Sequence, residues 1–265
     1  MRVTSIQLEI RDGRSKAQTL EYVLAQLERA RGSDLILLPE LWSVGYFSFE
    51  RYEAESEGLD GPTVRALGAQ AARMQCHVLM GSLVERDGAA LYNTTVLLDA
   101  SGKVAARYRK IHLFGYGSEE RRLLSRGQEL VVAPTPWGRA GLATCYDLRF
   151  PELFRGLLDQ GAEFFLIASA WPQARLESWR LFTRARAHEN LAFLFACNCA
   201  GQNAGRTFAG HSQAVDPMGT VLACGGEGEE LVSCEADMSR LVSVRKEFPA
   251  LQDRVLQADK RRGAP

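Results

Sequence analysis

Three residues of different chemistry close three segments of the chain. Glu40 ends LILLPE, Lys110 ends ARYRK and Cys145 ends GLATC. Strand ends along one edge of a sheet are where α/β proteins place their sites. A thiol, a carboxylate and an ammonium brought together can run acyl transfer from an amide. The thiol attacks as thiolate, yet a free cysteine is mostly protonated at neutral pH, so a base must take its proton. The carboxylate can do this, pass the proton to the leaving nitrogen, and then activate the water that releases the acyl group. The ammonium can hold the carboxylate and stabilise the oxyanion, with the backbone N–H of Tyr146 as a second donor. Taken singly, each residue also has an ordinary explanation. A glutamate after proline is often a cap or surface charge, a lysine after Arg-Tyr-Arg is often solvated, and a cysteine at a strand end often packs in a core.

The elements that must carry these residues follow from periodicity. Residues 1–10 alternate apolar and polar side chains, which predicts a strand. In 15–31, Leu20, Val23, Leu24 and Leu27 share one helical face, and Gly32 can end that helix. Residues 34–38 form a strand that is fully apolar after Asp34, suited to a sheet covered on both faces, and lead into Pro39-Glu40. Pro62 fits the first turn of a helix running to Met74. Residues 77–85 and 90–99 read as a hairpin around Asp87-Gly88, followed by a strand over 103–110. The second half predicts a strand at 138–145, a helix at 151–160, a strand at 163–168, a helix at 177–191 and a strand at 192–198. A hairpin of 208–215 with 221–224 and a last strand at 230–236 complete it. There are too many hairpins for a plain doubly wound sheet. The α/β arrangement that accommodates them is two mixed sheets packed together with helices outside. With no Pro-, Gly- or Ser-rich linker, residues 1–265 read as one domain.

Composition excludes several classes. Lysine plus arginine, 32, balances aspartate plus glutamate, 32, so there is no electrostatic footprint for a nucleic-acid partner. The tail residues Lys260, Arg261 and Arg262 read as solvated. The N-terminal segment lacks the apolar core of a signal peptide. The apolar runs at 164–171 and 191–197 fall short of the roughly 20 residues that cross a bilayer. A cytoplasmic protein with no membrane partner is expected. The six cysteines (Cys76, Cys145, Cys197, Cys199, Cys224 and Cys234) sit mostly in apolar segments of a large chain, which favours free thiols over disulfides. Cys197-x-Cys199 lacks a second cluster at zinc spacing, so no metal site is expected.

The local sequences extend this reading. LLPELW around Glu40, YRKIHLF around Lys110 and CYDLRFPEL around Cys145 resemble, in order and spacing, the three signature segments of the nitrilase superfamily, the carbon–nitrogen hydrolases. The resemblance continues through ASAWPQAR (168–175), RARAHEN (184–190) and GHSQAVDPMG (210–219), and so covers almost the whole chain. It implies a four-layer αββα sandwich, a homodimer paired through the helices beside the nucleophile, and Glu–Lys–Cys roles for Glu40, Lys110 and Cys145. It implies neither metal nor organic cofactor. Many members carry a second glutamate seven residues before a glycine that precedes the next strand. That register selects Glu120, with Gly127 as marker, over the adjacent Glu119; the expected role is to orient Lys110 and position substrate. Against this stands the alternative of a solvated glutamate in a charged EERR turn.

The same resemblance is strongest to the omega-amidase-like branch, whose substrates are short dicarboxylic monoamides such as 2-oxoglutaramate. It implies hydrolysis of a small linear amide to acid and ammonia through a cysteine thioester. Hydrolysis of an N-carbamoyl amino acid or another amide is the runner-up, ahead of nitrile hydrolysis or a catalytically silent binding protein. Tyr46, Phe114, Tyr146 and Trp171 are candidates for the pocket wall, though aromatic residues are also core material. Arg175 is a candidate for a substrate carboxylate, since a guanidinium bonds such groups in pairs. His112 is read as structural rather than as a dyad partner of the thiol, and His211 as a strand residue. Asp147, Arg149 and Glu152 read as an ion-paired cluster holding the nucleophile turn. Asn198-Cys199-Ala200-Gly201 departs from the Asn-Arg segment of many relatives, at the pocket floor or a dimer contact.

Overall fold

In a computed structural model, residues 1–256 are described; the basic tail residues Lys260, Arg261 and Arg262 lie outside them. The chain is mixed α/β. One six-stranded sheet runs in the order Glu230–Glu235, Arg2–Gln7, Leu35–Leu37, His77–Asp87, Ala90–Leu98, Val104–Arg109. A second runs Val221–Cys224, Gln213–Val215, Phe193–Asn198, Phe164–Ser169, Gly138–Thr144, Val132–Thr135. In each, a parallel core of three strands is extended on both sides by antiparallel ones.

Alternation along the strands explains the layering. Leu35, Leu37, Leu79 and Leu97 share a core with Leu142, Leu166 and Phe195 of the second sheet. Their neighbours Ile36, Val78, Met80 and Val96 turn the other way, onto Val23 and Leu27 of the helix Lys16–Arg29 and Leu67 and Ala71 of the helix Pro62–Met74. The far face of the second sheet is covered by the helices Pro151–Asp159 and Leu176–Glu189, through residues such as Phe154 and Trp179. Both sheets are thus packed between helices. Local signals start these helices where the sequence places them. Ser15 and Gln18 form a reciprocal capping box, and Pro62 and Pro151 occupy first turns.

Three expectations need correction. The N-terminal strand divides at Leu8: Arg2–Gln7 joins the first sheet, whereas Glu9–Ile10 pairs with Ala200–Asn203 in a small third sheet. The 208–215 strand is shorter, because His211 takes a left-handed backbone (φ 51°) and only Gln213–Val215 pairs in the sheet; Phe208 bridges to Pro172 instead. The helix Ser239–Glu247 has no counterpart among the expected elements, since it buries only Leu241 and Val244. Among the described residues, no helix is long and apolar enough to cross a membrane, and all six cysteines are unpaired.

Candidate active site

The turn bearing Glu40 is clamped between the two sheets. The Leu38 N–H donates to Leu79 O (2.9 Å), and the Glu40 N–H donates to Ser169 O at the end of a second-sheet strand (3.2 Å). The Leu41 N–H reaches Ser82 Oγ (3.0 Å), and Trp42 Nε1 donates to Met80 O (2.8 Å). Gly81 makes this approach possible. Its φ is 69°, and a Cβ there would collide with the carbonyl oxygen of Pro39. Cys145 does not end its strand as expected. It follows Gly138–Thr144 as the first residue of a 3-10 turn, with a left-handed φ of 46°. Such a backbone costs a non-glycine residue free energy and persists only when its surroundings enforce it. Asp147 enforces it: its Oδ2 accepts from the Thr144 N–H (2.9 Å) and Tyr108 hydroxyl (2.7 Å), and its Oδ1 lies 2.7 Å from His112 Nδ1. His112 stacks on Phe150 at 3.8 Å, in keeping with a structural role. The expected mutual pairing of Asp147, Arg149 and Glu152 is absent among the described residues. Asp147 is occupied by His112 and Tyr108, while Arg149 lies over Trp171 and Phe182 and lines a cleft.

Glu40, Lys110 and Glu120 meet with no solvent exposure. Lys110 Nζ donates to Glu40 Oε1 (2.7 Å) and to Glu120 Oε1 (2.9 Å). Glu40 Oε2 accepts from the Ala170 N–H (2.9 Å), and Glu120 Oε2 from the Phe114 N–H (2.7 Å) and the Tyr46 hydroxyl (3.1 Å). Two buried carboxylates therefore share one ammonium, and the remaining donors offset their desolvation. The register that selects Glu120 has a physical basis: the Gly127 N–H donates to Lys110 O (2.9 Å), and a side chain at 127 would strike the Arg109 carbonyl. Glu119, by contrast, is exposed and paired with Arg122.

Sequence reading misses Asn93. Its Nδ2 donates to Glu40 Oε1 and to Glu120 Oε1, both at 2.8 Å, so it ties the two carboxylates together alongside Lys110. The Lys110 N–H also donates to Asn93 O (2.9 Å). The one local signal is the polar run Asn93-Thr94-Thr95 inside an otherwise apolar strand. The unusual segment at 198–201 lies beneath the site, where the Cys199 thiol points at Glu40 O (3.6 Å).

Electrostatics follow from this burial. Burial pushes the Glu40 carboxyl up; Lys110 pulls it down and Glu120 pushes it up again, for a net rise. Burial opposes the charge on Lys110, but Glu120 and Glu40 outweigh it and hold the ammonium well above its ordinary value. The Cys145 thiol is raised by burial and then by Glu40, with Lys110 opposing. Cys145 therefore rests as a thiol beside the Glu40 carboxyl, so an attack by its sulfur requires that proton to leave.

Cys145 opens onto a cleft of about 760 Å³. The four residues expected in the pocket wall (Tyr46, Phe114, Tyr146 and Trp171) line it, and so does Arg175, the candidate for a substrate carboxylate. Sequence reading does not place Arg149 and Arg206 there, yet they line it too, and the three arginines are its only charged lining among the described residues. No group of three or more His, Cys, Asp or Glu among the described residues is arranged to hold a metal ion.

Comparison with known proteins agrees with this geometry. The carbon–nitrogen hydrolase family model matches residues 2–246. A 2-oxoglutaramate amidase of Bacillus subtilis strain 168 is 34% identical, with 95% of this chain and 96% of that protein covered. A 2-oxoglutaramate amidase of Paenarthrobacter nicotinovorans is 37% identical over 84% of this chain and 78% of its own length. The crystal structure of a CN-hydrolase superfamily protein from Xanthomonas campestris, with an arsenic adduct in its active site, superposes with a TM-score of 0.90, 32% identity and 97% of each chain covered. A family match over nearly the whole length, on a fold that brings the signature residues to one point, makes this chain a member of the carbon–nitrogen hydrolase family.

Proposed function

We propose that the chain hydrolyses the terminal amide of a small, carboxylate-bearing linear amide, of the dicarboxylic monoamide class that includes 2-oxoglutaramate, to acid and ammonia. The observation that carries this reading is a Glu40–Lys110–Glu120 cluster beside Cys145, at a cleft whose charged lining is arginine alone. The relatives' names supply the substrate class; the arginines supply a reason for it, because a guanidinium receives a carboxylate in paired bonds.

As Cys145 Sγ attacks the amide carbon, Glu40 takes the thiol proton. The carbonyl oxygen becomes an oxyanion, met by Lys110 Nζ and the Tyr146 N–H. Collapse breaks the C–N bond, and protonated Glu40 gives its proton to the leaving nitrogen, which departs as ammonia. A thioester on Cys145 remains. Water attacks it while Glu40 takes a water proton, and that proton returns to Sγ as the acid leaves. Glu120 and Asn93 keep Lys110 and Glu40 in register throughout. Tyr46, Phe114, Tyr146 and Trp171 form the walls, and Arg149 and Arg175 receive the substrate carboxylate. The reading includes one domain over 1–265, a homodimer paired through the helices beside the nucleophile, and a cytoplasmic location.

A panel of amides, N-carbamoyl compounds and nitriles assayed for ammonia tests the reading. Carboxylate-bearing monoamides are expected to be the best substrates, with an acyl adduct on Cys145 visible by intact mass. Cys145→Ala is expected to lower turnover at least about 10⁴-fold, as loss of a nucleophile does, with an unchanged thermal midpoint. Activity on nitriles alone, or an active Cys145→Ala, would overturn it.

A further inference from the structure

The outer part of the cleft differs in construction from the part next to Cys145. On one side, Arg175 lies over the rings of Phe114 (5.1 Å) and Tyr116 (5.6 Å). On the other, Arg206 lies over Phe47 (4.5 Å) and reaches across the mouth, where its Nη1 donates to Gly117 O (2.6 Å). Arg149, by contrast, belongs to the nucleophile turn and is half-buried, whereas Arg206 is exposed.

Arg206 is held in place by buried structure. It follows the turn at Ala204 and Gly205, both with left-handed backbones. The base of that turn is Asn203, buried, whose Oδ1 accepts the Phe47 N–H (2.6 Å) and whose Nδ2 donates to Asp12 Oδ1 (2.7 Å) and Ser48 Oγ (2.9 Å). The hairpin is thereby pinned to the loop that carries Tyr46 and Phe47. Only one of the five N–H groups of Arg206 is engaged, and none of the three cleft arginines pairs with a carboxylate among the described residues.

The cleft is also large for a short substrate. Its volume is about 760 Å³, whereas 2-oxoglutaramate has only ten non-hydrogen atoms. A short monoamide seated on Cys145 and bonded to Arg149 and Arg175 leaves the exposed Arg206 unused.

We propose that Arg206 is an outer anion subsite that extends the range of this cleft to longer ω-amides, dicarboxylic monoamides whose acidic end passes beyond Arg149 to the mouth. The proposal rests on the amidase reading above and deepens it. A charged hydrogen bond at the rim acts on binding, so its loss reads out in KM for long substrates, with kcat little changed.

The test is a chain-length series of straight dicarboxylic monoamides, from four to eight carbons, assayed for ammonia with the full chain and with Arg206→Ala and Arg206→Lys. The parent is expected to hydrolyse the eight-carbon monoamide with kcat/KM within about tenfold of the four-carbon one. Arg206→Ala is expected to lower the eight-carbon value roughly tenfold to a hundredfold through KM, and the four-carbon value about threefold or less, the size of an exposed charge effect. Arg206→Lys is expected to recover part of the long-chain loss. The side chain is exposed, so the thermal midpoint should hold. Equal losses at all lengths, an equal loss on the neutral methyl ester of the eight-carbon monoamide, or no long-chain hydrolysis by the parent would overturn the subsite. Failure of the amidase reading looks different: no monoamide of any length would release ammonia.

Discussion

The two ends of the cleft are built by opposite rules. Around Cys145, the cluster of Glu40, Lys110 and Glu120 is fully buried and each member is held by several partners: Lys110 by two carboxylates, Glu120 by four different residues. At the mouth, Tyr116 is 79% exposed, and Arg175 and Arg206 rest on ring faces and a single carbonyl. The inner end suits chemistry, which needs proton donors and acceptors fixed to a fraction of an ångström. The outer end suits selection among substrates, where contacts on loops can change without disturbing the core.

If the contrast is right, changes to the buried polar cluster should cost stability and turnover together, and changes to the outer arginines should cost neither. The largest effect is expected from Glu120. Glu120→Ala leaves Lys110 with one fewer buried partner, so stability should fall by about 3–5 kcal/mol in a denaturant titration. Glu120→Gln gives a sharper readout. Glu40 must be ionised to accept the thiol proton, and activity is lost as pH falls through its raised pKa. Glu120 is one cause of that rise, so Glu120→Gln should move the acid limb of kcat/KM to lower pH, with kcat down roughly 10²-fold. A limb that moves upward contradicts the assignment.

Asn93→Ala comes next. It removes one bond to each carboxylate, and the expected cost is about 1–3 kcal/mol of stability with about a tenfold to hundredfold fall in kcat. Because Asn93 acts through Glu40 and Glu120, KM should change less than kcat. Arg175→Ala should have the smallest effect on the fold. Among the described residues its guanidinium meets only rings, so the thermal midpoint should stay put while KM for a carboxylate-bearing amide rises about tenfold. Equal KM changes for a neutral amide would show that Arg175 shapes the wall rather than binding charge.

Much of this molecule is legible in the order of its residues. The helix starts at Pro62 and Pro151, the hairpin, whose turn falls one residue on at Gly88-Ala89, and the apolar strand before Glu40 are local signals that the fold contains. The departures have one cause. The break at Leu8, the left-handed turn at His211 and the helix Ser239–Glu247 depend on partners far along the chain or bury too few side chains to leave a periodic signature. Cys145 reads as the last residue of a strand because GLATC is apolar; its helical turn is imposed by Asp147, two residues on, acting with Tyr108 and His112.

The candidate site groups, and their order, are written along the chain. Glu40, Lys110 and Cys145 each end a local segment, and the register to Gly127 that the resemblance supplies selects Glu120; signals of that kind survive in one dimension. How these groups are held, and what faces the substrate, comes from folding. Asn93 meets Glu40 across 53 positions of sequence, and Asn203 pins Phe47 across 156. Whether an arginine such as Arg149 pairs with a nearby carboxylate or turns into a cleft depends on which neighbours packing leaves free. Long-range pairing and side-chain direction carry no local signature, because the free energy that settles them belongs to contacts the folded chain alone creates.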